Sequence, residues 1–393
     1  MKVLLVHNRY QERGGEDTVF AFERDMLQAS GVGVETHVAD NDAISSWATK
    51  FKAFWRVTGN QTEVAAVVER VKAGGFDLVH VHNFFPLVSP GLHPALARAG
   101  VPVVQTLHNY RLMCANGVFL RDGAICEACV THGRYRAVVH RCYKGSAMGS
   151  LAVVRMQRAA LGNPGWVDSV SRFIALTRFA QDSFITHGIP AARITVKPNS
   201  VKDPGPAPVP WAERRGVLFV GRLSREKGLR VLLEAWAAGA GAGQQLTVIG
   251  DGPERAEMQA MSGDAVHFTG LLPREEVLAH MQRAAVLVIP STWYEGFPAT
   301  LVEALACGLP VIAPRLGGFP EMVEPGLNGW LFPPADSAAL AETLRAALAD
   351  PALLQRMGEG ARATYDLRYA PRRNRDQLLA IYRDVLAERA GPP

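Results

Sequence analysis

The chain has 393 residues, of which 48% are hydrophobic and 20% charged, and its formal net charge is +5. This length accommodates two ordinary domains with separate cores, and the composition excludes a disordered or fibrous protein. The N-terminal apolar run is too short for a signal peptide, and the run at residues 284–290 is far shorter than the roughly 18 residues of a membrane span. We therefore expect a cytoplasmic protein.

Short apolar runs alternate with helical patterns in the first half of the chain, which is typical of parallel α/β layers. An apolar face predicts a helix over residues 16–30. The predicted strands are Lys2–His7, Asp77–His82, Pro102–Leu107 and Arg172–Thr177. Together these elements predict a Rossmann-like N-terminal domain over residues 1–201.

The second half repeats this pattern after a linker at 201–210, where four prolines exclude a helix or a central strand. The predicted elements are strands Gly216–Val220, Gln245–Ile249, Ala265–Thr269, Ala285–Ile289 and Pro310–Ala313, with helices over 227–238 and after Pro298. They predict a second Rossmann-like domain over 202–370. A C-terminal helix within 371–393 is expected to pack back on the N-terminal domain. Ligands of such α/β domains bind at the carboxyl ends of the strands, here in a cleft between the domains.

The segment 110–165 is basic. From residue 111 to 172, nine Lys or Arg oppose three acidic residues. The segment is either a solvated face or a surface for an anionic partner, and no motif supports nucleic acid. The helical spacing of Met148, Leu151, Val154 and Leu161 predicts an interfacial helix on an anionic membrane surface.

The same segment holds four cysteines, Cys114, Cys126, Cys129 and Cys142. Four thiols this close in a cytoplasmic chain are a credible tetrahedral set for structural zinc, which would hold a loop poor in apolar residues. Buried thiols and a redox pair are the alternatives. Four protein ligands would close the coordination shell, so no catalytic role is implied.

Two glutamates, Glu295 and Glu303, stand in the apolar stretch STWYEGFPATLVEALACGLPVIA. Proline at the first helical position and Gly308 as the C-cap predict a helix over about 298–306. The amides of Gly296 and Phe297 at its N-terminus favour an anion such as phosphate.

A carboxylate among apolar neighbours needs donors for both oxygens, and for Glu303 the two hydroxyls of a ribose supply them. Glu295, nearer the helix mouth, is predicted to hold hydroxyls of the group beyond the phosphates. The alternative is that both are solvated acids at a helix end.

Two further segments predict phosphate contacts. In GRLSREKGL, residues 221–229, Arg222 and Lys227 follow a strand and offer a forked and a point-like positive group for a diphosphate. Gly14 and Gly15 precede the first helix and let backbone amides approach a phosphate. Neither this segment nor residues 239–243 fits the dinucleotide fingerprint. No Asp-x-Asp motif stands in a suitable loop, so we expect no catalytic metal.

These motifs resemble the retaining glycosyltransferase family 4. EGFPATLVEALACGLPVIA resembles its Glu–seven residues–Glu motif, and GRLSREKGL looks like its phosphate-binding segment. GDGPE (250–254), KPNSV (197–201), GGFPEMV (317–323) and GLNGWLFPPAD (326–336) are similar to its other signatures, in the same order. The resemblance implies a GT-B fold, with an acceptor-side N-terminal domain and a C-terminal domain that binds a nucleotide-diphosphate sugar.

The resemblance also implies roles for residues of the second domain. Glu303 would hold the ribose and Glu295 hydroxyls of the donor sugar. Arg222 and Lys227 would hold the diphosphate, with Gly15 close to the phosphates from the N-terminal side.

In the N-terminal domain, His108 matches the family histidine that faces the donor sugar near the reacting carbon. Asn109 stands where the family often has Asp, and a capped strand-end histidine is the alternative for His108. Residues 80–83, HisValHisAsn, are assigned to the acceptor side. Base contacts are implied for the backbone around Leu272.

The implied activity is transfer of a sugar, with retained anomeric configuration, to an acceptor hydroxyl of a lipid-linked or cell-surface saccharide. A nucleotide-sugar epimerase of similar two-domain architecture is the alternative enzyme. A non-catalytic sugar-nucleotide or membrane-binding protein is a third class, and loss of Glu295, Arg222 or Lys227 would favour it, but all three are present.

Overall fold

A computed structural model of the chain describes residues 1–10, 14–44, 46–241 and 243–390. The chain divides into two compact units. Unit 1 comprises Met1–Phe119, Cys126–Asn199 and Asn374–Pro393, and unit 2 comprises Leu120–Ile125 and Ser200–Arg373.

Strands and helices alternate through most of the chain. The strands are β1 Lys2–Arg9, β2 Gly33–Asp40, β3 Leu78–Val81, β4 Val103–Leu107, β5 Leu120–Arg121, β6 Ala124–Ile125, β7 Arg172–Ala175, β8 Ile194–Val196, β9 Val217–Val220, β10 Leu246–Ile249, β11 Val266–Gly270, β12 Val286–Val288, β13 Val311–Pro314 and β14 Gly329–Phe332. The helices are α1 Gly15–Ala29, α2 Trp47–Arg56, α3 Gln61–Gly74, α4 Leu92–Arg98, α5 Ala128–Thr131, α6 Arg136–Val139, α7 Ala147–Ala159, α8 Pro164–Asp168, α9 Arg178–Thr186, α10 Leu229–Ala235, α11 Arg255–Ala260, α12 Arg274–Met281, α13 Ala299–Ala306, α14 Phe319–Met322, α15 Ser337–Ala349, α16 Pro351–Thr364 and α17 Pro371–Ala390.

Each unit is built on a six-stranded parallel sheet. The order is β2-β1-β3-β4-β7-β8 in unit 1 and β11-β10-β9-β12-β13-β14 in unit 2, and β5 and β6 form a separate hairpin. Strand order reverses between β1 and β3 in unit 1 and between β9 and β12 in unit 2. Ligands of open α/β sheets bind outside the carboxyl ends of the strands at such a switch point.

Apolar side chains cover both faces of the unit 2 sheet. Leu218 and Leu287 belong to one buried cluster, while the adjacent Val217 and Val286 belong to another. Successive strand residues therefore face opposite layers, as expected for a buried parallel sheet. In unit 1, α17 packs on the core cluster of Val3, Leu5, Phe20 and Leu78 through Leu378, Ile381, Tyr382 and Val385.

Within the two six-stranded sheets, the sequence-based prediction misses three strands, namely β2, β8 and β14, and all three lie at sheet edges. It also misses the short hairpin strands β5 and β6. An edge strand has fewer neighbours, so its sequence need not be a continuous apolar run. Strand β2, for example, has the sequence GVETHVAD, and most of it is only half-buried. The central strands agree with the predicted runs to within about two residues at each end.

The predicted interfacial helix is wrong in its assignment of the apolar stripe. Helix α7 buries Val154 completely, and Leu161 beyond its end is only 6% exposed, whereas Met148 is 57% exposed. Val154 and Leu161 therefore pack into unit 1, and Met148 alone of these three remains exposed. Across the parts of the chain that the structure describes, no helix combines the length and apolar character that a membrane crossing requires.

Candidate active site

The loops after β9 and β12 meet at the switch point of unit 2. Residues Arg225–Lys227 form a short 3-10 turn, and Gly228 after it has a left-handed φ of 70°. A Cβ on Gly228 would lie 2.0 Å from the carbonyl oxygen of Pro290, so only glycine lets the two loops approach this closely. The Thr292 amide also donates to the carbonyl of Glu226, at 2.9 Å.

These loops bring Lys227 and Glu295 together. The Lys227 ammonium donates to Glu295 Oε1 at 2.7 Å, and the same oxygen accepts from Ser291 Oγ at 2.9 Å and Trp293 Nε1 at 3.1 Å. The Glu295 side chain is only 8% exposed, but Lys227 keeps 29% of its surface accessible. The arrangement holds the carboxylate firmly while one side of the ammonium remains open to an anion. Arg222 follows β9 in the same loop, with an exposed side chain.

Glu303 is paired with an arginine that sequence reasoning did not find. Arg274 Nη2 lies 2.9 Å from Glu303 Oε1. Burial raises the pKa of Glu303, although the charge of Arg274 and its hydrogen bond act in the opposite direction. Arg274 is the first residue of α12 and directly follows residues 271–273, so the turn predicted for base contacts lies beside Glu303. Leu272 in this turn packs against the apolar core of unit 2.

Helix α13 begins one residue later than predicted, with Pro298 as its N-cap. It ends at Ala306, and Gly308 follows with a left-handed φ of 61°. Gly296 and Phe297 therefore lie in the preceding loop, both half-buried. The ring of Phe297 packs edge-on to Tyr369, with 6.2 Å between centroids, which anchors the loop at the mouth of the helix.

At the switch point of unit 1, Gly14 and Gly15 begin α1. Gly14 is the N-cap, and its amide donates to Asp17 Oδ2 at 2.9 Å, while Asp17 Oδ1 lies 2.9 Å from His7 Nε2. Apart from the adjacent residues and the backbone of the same helix, no described atom lies within 4 Å of a Cβ built on either glycine, and both glycines are exposed. This backbone is therefore accessible. Residues 11–13 of the same motif lie outside the described residues.

His108 follows β4 and is half-buried. Its Nε2 lies 3.1 Å from Nδ1 of His82, and the two rings stack with 5.2 Å between centroids. Burial lowers the pKa of His108 to about 3, against an opposing effect of the Glu23 charge. His108 is therefore neutral at physiological pH.

Asn109 is locked by its neighbours. Its Nδ2 donates to Glu16 Oε1, and its Oδ1 accepts from the Arg111 amide at 2.9 Å. Burial raises the pKa of Glu16. An aspartate at position 109 would place a second carboxylate against Glu16, which explains physically why an amide suits this position.

Behind His108 lies a buried ion pair. The Lys197 ammonium donates to Glu23 Oε1 at 2.6 Å and to Asn374 Oδ1 at 3.1 Å, and Lys197 and Glu23 are 0% and 1% exposed. Burial alone would raise the pKa of Glu23, but the Lys197 charge and hydrogen bond bring it below its usual value. Glu23 Oε2 lies 3.5 Å from His82 Nε2, and His82 in turn contacts His108. A chain of contacts therefore links the ion pair to His108.

Glu23, His80 and His82 offer ligand atoms within 4.8 Å of one another. Both nitrogens of His80 already contact hydroxyls, those of Tyr382 and Thr106, at 2.7 Å each. The Lys197 ammonium neutralises the carboxylate, and a second cation beside it would be strongly repelled in the interior. We assign no metal to this group. The same burial argues against an acceptor-side role for residues 80–83.

The four cysteines do not form a ready-made metal site. In the described part of the chain, which includes all four, no three of their sulfur atoms lie within 4.8 Å of one another. Cys114 Sγ lies 3.0 Å from Asn116 Oδ1. Burial, with a smaller effect of the neighbouring cysteines, raises the pKa of the Cys129 thiol to about 11. Cys114, Cys126 and Cys142 all act electrostatically on Cys129, so the four thiols lie near one another, and the zinc site stays a prediction.

Two Rossmann-like units, each with a parallel sheet and a switch point, define the GT-B class of fold. The model of the family described as Glycosyltransferase Family 4 matches residues 3–203, and that of Glycosyl transferases group 1 matches residues 208–364. The chain therefore belongs to these glycosyltransferases, and the predicted fold class and family resemblance are confirmed at that level.

Individual relatives agree with this assignment. A 2-deoxystreptamine N-acetyl-D-glucosaminyltransferase of Streptomyces fradiae is 32% identical over 295 residues, which cover 70% of this chain and 63% of the relative. The chain thus spans less than two thirds of that relative's length. Anabaena Alr3699/HepE in complex with UDP has a TM-score of 0.69 at 21% identity, over 98% of this chain and 100% of the other. The apo lipopolysaccharide outer core galactosyltransferase WaaB gives 0.69 at 19%, over 98% and 100%. At these identities the two structures establish the fold alone.

Sequence reasoning missed Arg274, Ser291 and the Glu23–Lys197 pair. Glu23 carries the same signal as Glu303, a lone carboxylate on an apolar helical face, and that signal was available. The partners of these two glutamates could not be found from local sequence, because Arg274 lies 29 positions before Glu303 and Lys197 lies 174 positions after Glu23.

Proposed function

We propose that this protein is a retaining glycosyltransferase that moves a sugar from a nucleotide diphosphate to an acceptor hydroxyl. The contact between Lys227 and Glu295 at the switch point of unit 2 carries the proposal. It brings a cation and a carboxylate together on adjoining loops, and this pair would suit a leaving diphosphate and sugar hydroxyls. UDP, which is bound to the Anabaena neighbour, is the first nucleotide to test.

Glu303 is the proposed ribose ligand. Arg274 favours the ionised form of this partly buried carboxylate, in which both oxygens can accept from the ribose hydroxyls. The backbone of residues 271–273, next to Arg274, is the proposed contact for the base. The half-buried loop at Gly296 and Phe297 would present amides to the phosphates.

Negative charge develops on the leaving diphosphate during transfer, and Arg222 and Lys227 are proposed to stabilise it. They would supply the charge that a divalent metal supplies in other transferases, so we propose that transfer needs no catalytic metal. Front-side displacement, with the leaving phosphate helping to deprotonate the acceptor hydroxyl, accounts for retention without a covalent sugar–enzyme intermediate. In unit 1, His108 and Gly15 are the proposed contacts to the sugar and the phosphates.

The acceptor is proposed to be a lipid-linked saccharide at an anionic membrane surface. Helix α2 supports this proposal, since Trp47, Phe51 and Trp55 are 80%, 47% and 59% exposed. The helix also carries Lys50, Lys52 and Arg56 and has no acidic residue. A cavity of about 510 Å³ lies between this helix and residues 143–152, lined by aromatic rings and by Lys50 and Lys144. Aromatic and basic groups together suit the boundary of an anionic bilayer.

Vesicle sedimentation tests the membrane contact. We expect salt-sensitive binding to anionic vesicles, weakened when Trp47→Ser and Trp55→Ser are combined. Equal sedimentation with anionic and neutral vesicles, or no sedimentation with either, contradicts this part of the proposal.

A thermal-shift panel of UDP, GDP, ADP, TDP and CMP tests the donor site. A ligand that binds only the folded state raises the midpoint, and we expect one clear responder whose effect Glu303→Ala abolishes. If none of the five nucleotides raises the unfolding midpoint of a folded sample, the proposal of a nucleotide donor is contradicted. Product analysis with and without acceptor then separates transfer from epimerisation, an alternative that the family assignment does not support, and NMR of the product reports the anomer.

A further inference from the structure

We propose that the buried Glu23–Lys197 pair, acting through His82, sets the tautomer of His108 so that only the Nδ1 lone pair remains for a ligand. Glu23, Lys197 and His82 are thus positioning residues, not catalytic ones. The assignment of a tautomer stands on the contacts and the burial of groups within unit 1. Its consequence for turnover rests on the proposed function.

The first step is the orientation of the carboxylate. Lys197 holds Glu23 Oε1 at 2.6 Å and is itself held by Asn374 Oδ1 at 3.1 Å and the Pro198 carbonyl at 3.4 Å. The ammonium is fully buried, so it needs the ionised carboxylate as its partner. Glu23 Oε2 therefore faces His82 as a pure acceptor.

The second step is the proton on His82. Its Nε2 lies 3.5 Å from Glu23 Oε2, an ion-pair distance, and neither atom has a hydrogen-bond partner among the described residues. An unprotonated Nε2 would place its lone pair against a lone pair of the carboxylate oxygen, which is repulsive. A protonated Nε2 instead directs its N–H at that oxygen, which is attractive. Burial lowers the pKa of His82 well below the usual value, so the ring carries one proton, at Nε2. Its Nδ1 is then an acceptor.

The third step is the position of the proton on His108, which depends on the unprotonated Nδ1 of His82. Nε2 of His108 lies 3.1 Å from the bare Nδ1 of His82, and only an N–H can occupy that contact favourably. Because His108 is also neutral, its Nδ1 has no proton. The ring is thereby specified as an acceptor towards any ligand, which suits a sugar hydroxyl and disfavours a phosphate oxygen.

The other neighbours do not compete for this proton arrangement. The His80 ring lies 4.3 Å from that of His82, but both its nitrogens contact hydroxyls. His7 lies edge-on to His82 with 6.5 Å between centroids, and its Nε2 contacts Asp17. A carboxylate that reaches His82 is therefore the natural source of the bias.

A matched pair of double variants isolates the carboxylate oxygen. Both E23L/K197M and E23Q/K197M remove the two buried charges together, which avoids leaving one charge unpaired. Only E23Q/K197M keeps an oxygen that can accept from His82 Nε2. Y382F serves as the control, because it removes a hydrogen bond of His80 in the same core without touching His82 or His108.

The readout is long-range ¹H–¹⁵N correlation on histidine-labelled protein, with the His108 signals assigned by their loss in H108Q. We expect an unprotonated Nδ1 and a protonated Nε2 at His108 in the parent protein, E23Q/K197M and Y382F. In E23L/K197M the two nitrogen shifts should move towards each other as the tautomers mix. Unchanged His108 shifts in a folded E23L/K197M, or a protonated Nδ1 in the parent, overturns the proposal.

Kinetics on the same variants separates this inference from the proposed function. We expect kcat to fall at least about tenfold in E23L/K197M and to recover in E23Q/K197M. UDP affinity should stay unchanged, because the side chains proposed to hold UDP lie in unit 2 and Gly15 would contact the phosphates only through its backbone. A shifted tautomer with unchanged kcat would support the positioning chain and contradict the role proposed for His108. If no nucleotide binds at all, the NMR result still decides the inference.

Discussion

Units 1 and 2 have the same kind of parallel sheet but place their charged groups differently. In unit 1, five histidines have lowered pKa values because of burial, and a lysine–glutamate pair is buried among them. In unit 2, the described histidines are not buried, and the ion pairs Lys227–Glu295 and Arg274–Glu303 retain exposed cations. The contrast agrees with the two proposals, namely that unit 2 binds a charged ligand through these cations and that unit 1 orients the neutral side chain of His108.

The largest expected effect concerns acid stability of unit 1. Five of its histidines, namely His7, His80, His82, His93 and His108, have folded pKa values below the ordinary 6.5, about 4 for His93 and about 3 for His108. Below pH 6.5 these histidines become protonated in the unfolded state but remain neutral in the folded state. Stability is therefore full above pH 6.5 and falls towards these lower values, by up to about 1.4 kcal/mol per histidine and pH unit.

Urea unfolding of the protein between pH 8 and pH 5, with separate probes in each unit, measures this difference. H93Q should reduce the acid sensitivity of unit 1 by about one proton. If both units lose stability equally on acidification, the explanation by buried histidines in unit 1 is contradicted.

The next largest effect is expected for K197M alone. This variant leaves the Glu23 carboxylate buried without its partner, so unit 1 should lose about 3–5 kcal/mol of unfolding free energy. E23Q/K197M should recover most of that loss. K72M, at an exposed pair with Glu69, is the control and should change stability by less than about 0.5 kcal/mol. A loss of the same size in K72M would contradict the explanation by burial.

K227A should affect activity without affecting stability of unit 1. Removal of a group that stabilises developing charge lowers kcat by about 10²- to 10³-fold, and UDP affinity should also decrease. R230A removes another cation of unit 2, paired with Glu257 on the surface, and is expected to keep near-normal activity. Unchanged donor affinity in K227A would contradict the assignment of the diphosphate site.

The smallest predicted effect is a pH dependence of UDP binding. Burial raises the pKa of Glu303, and protonation would remove an acceptor for the ribose hydroxyls. Affinity should therefore fall between pH 8 and pH 5.5, and R274A should make the fall steeper because it removes the cation that keeps Glu303 ionised. Calorimetric titration at the two pH values checks this expectation, with R230A as the matched control.

Much of the fold was predictable from local sequence. The central strands are continuous apolar runs because both faces of a parallel sheet are buried, and the proline-rich residues 201–210 contain neither helix nor strand. The edge strands β2, β8 and β14 were missed because they are short or partly polar. The stripe on α7 was read as an interface because spacing alone does not tell a core-facing stripe from a membrane-facing one.

The sequence by itself determined which side chains follow which strands, and hence that Arg222, Lys227, Glu295 and His108 stand at strand ends. Only the tertiary structure decided their partners. Glu303 with Arg274, Glu23 with Lys197, and His108 with His82 are contacts between separate elements. Periodicity reports burial along one element, whereas the protonation and charge of a buried group depend on what other elements bring within a few ångströms.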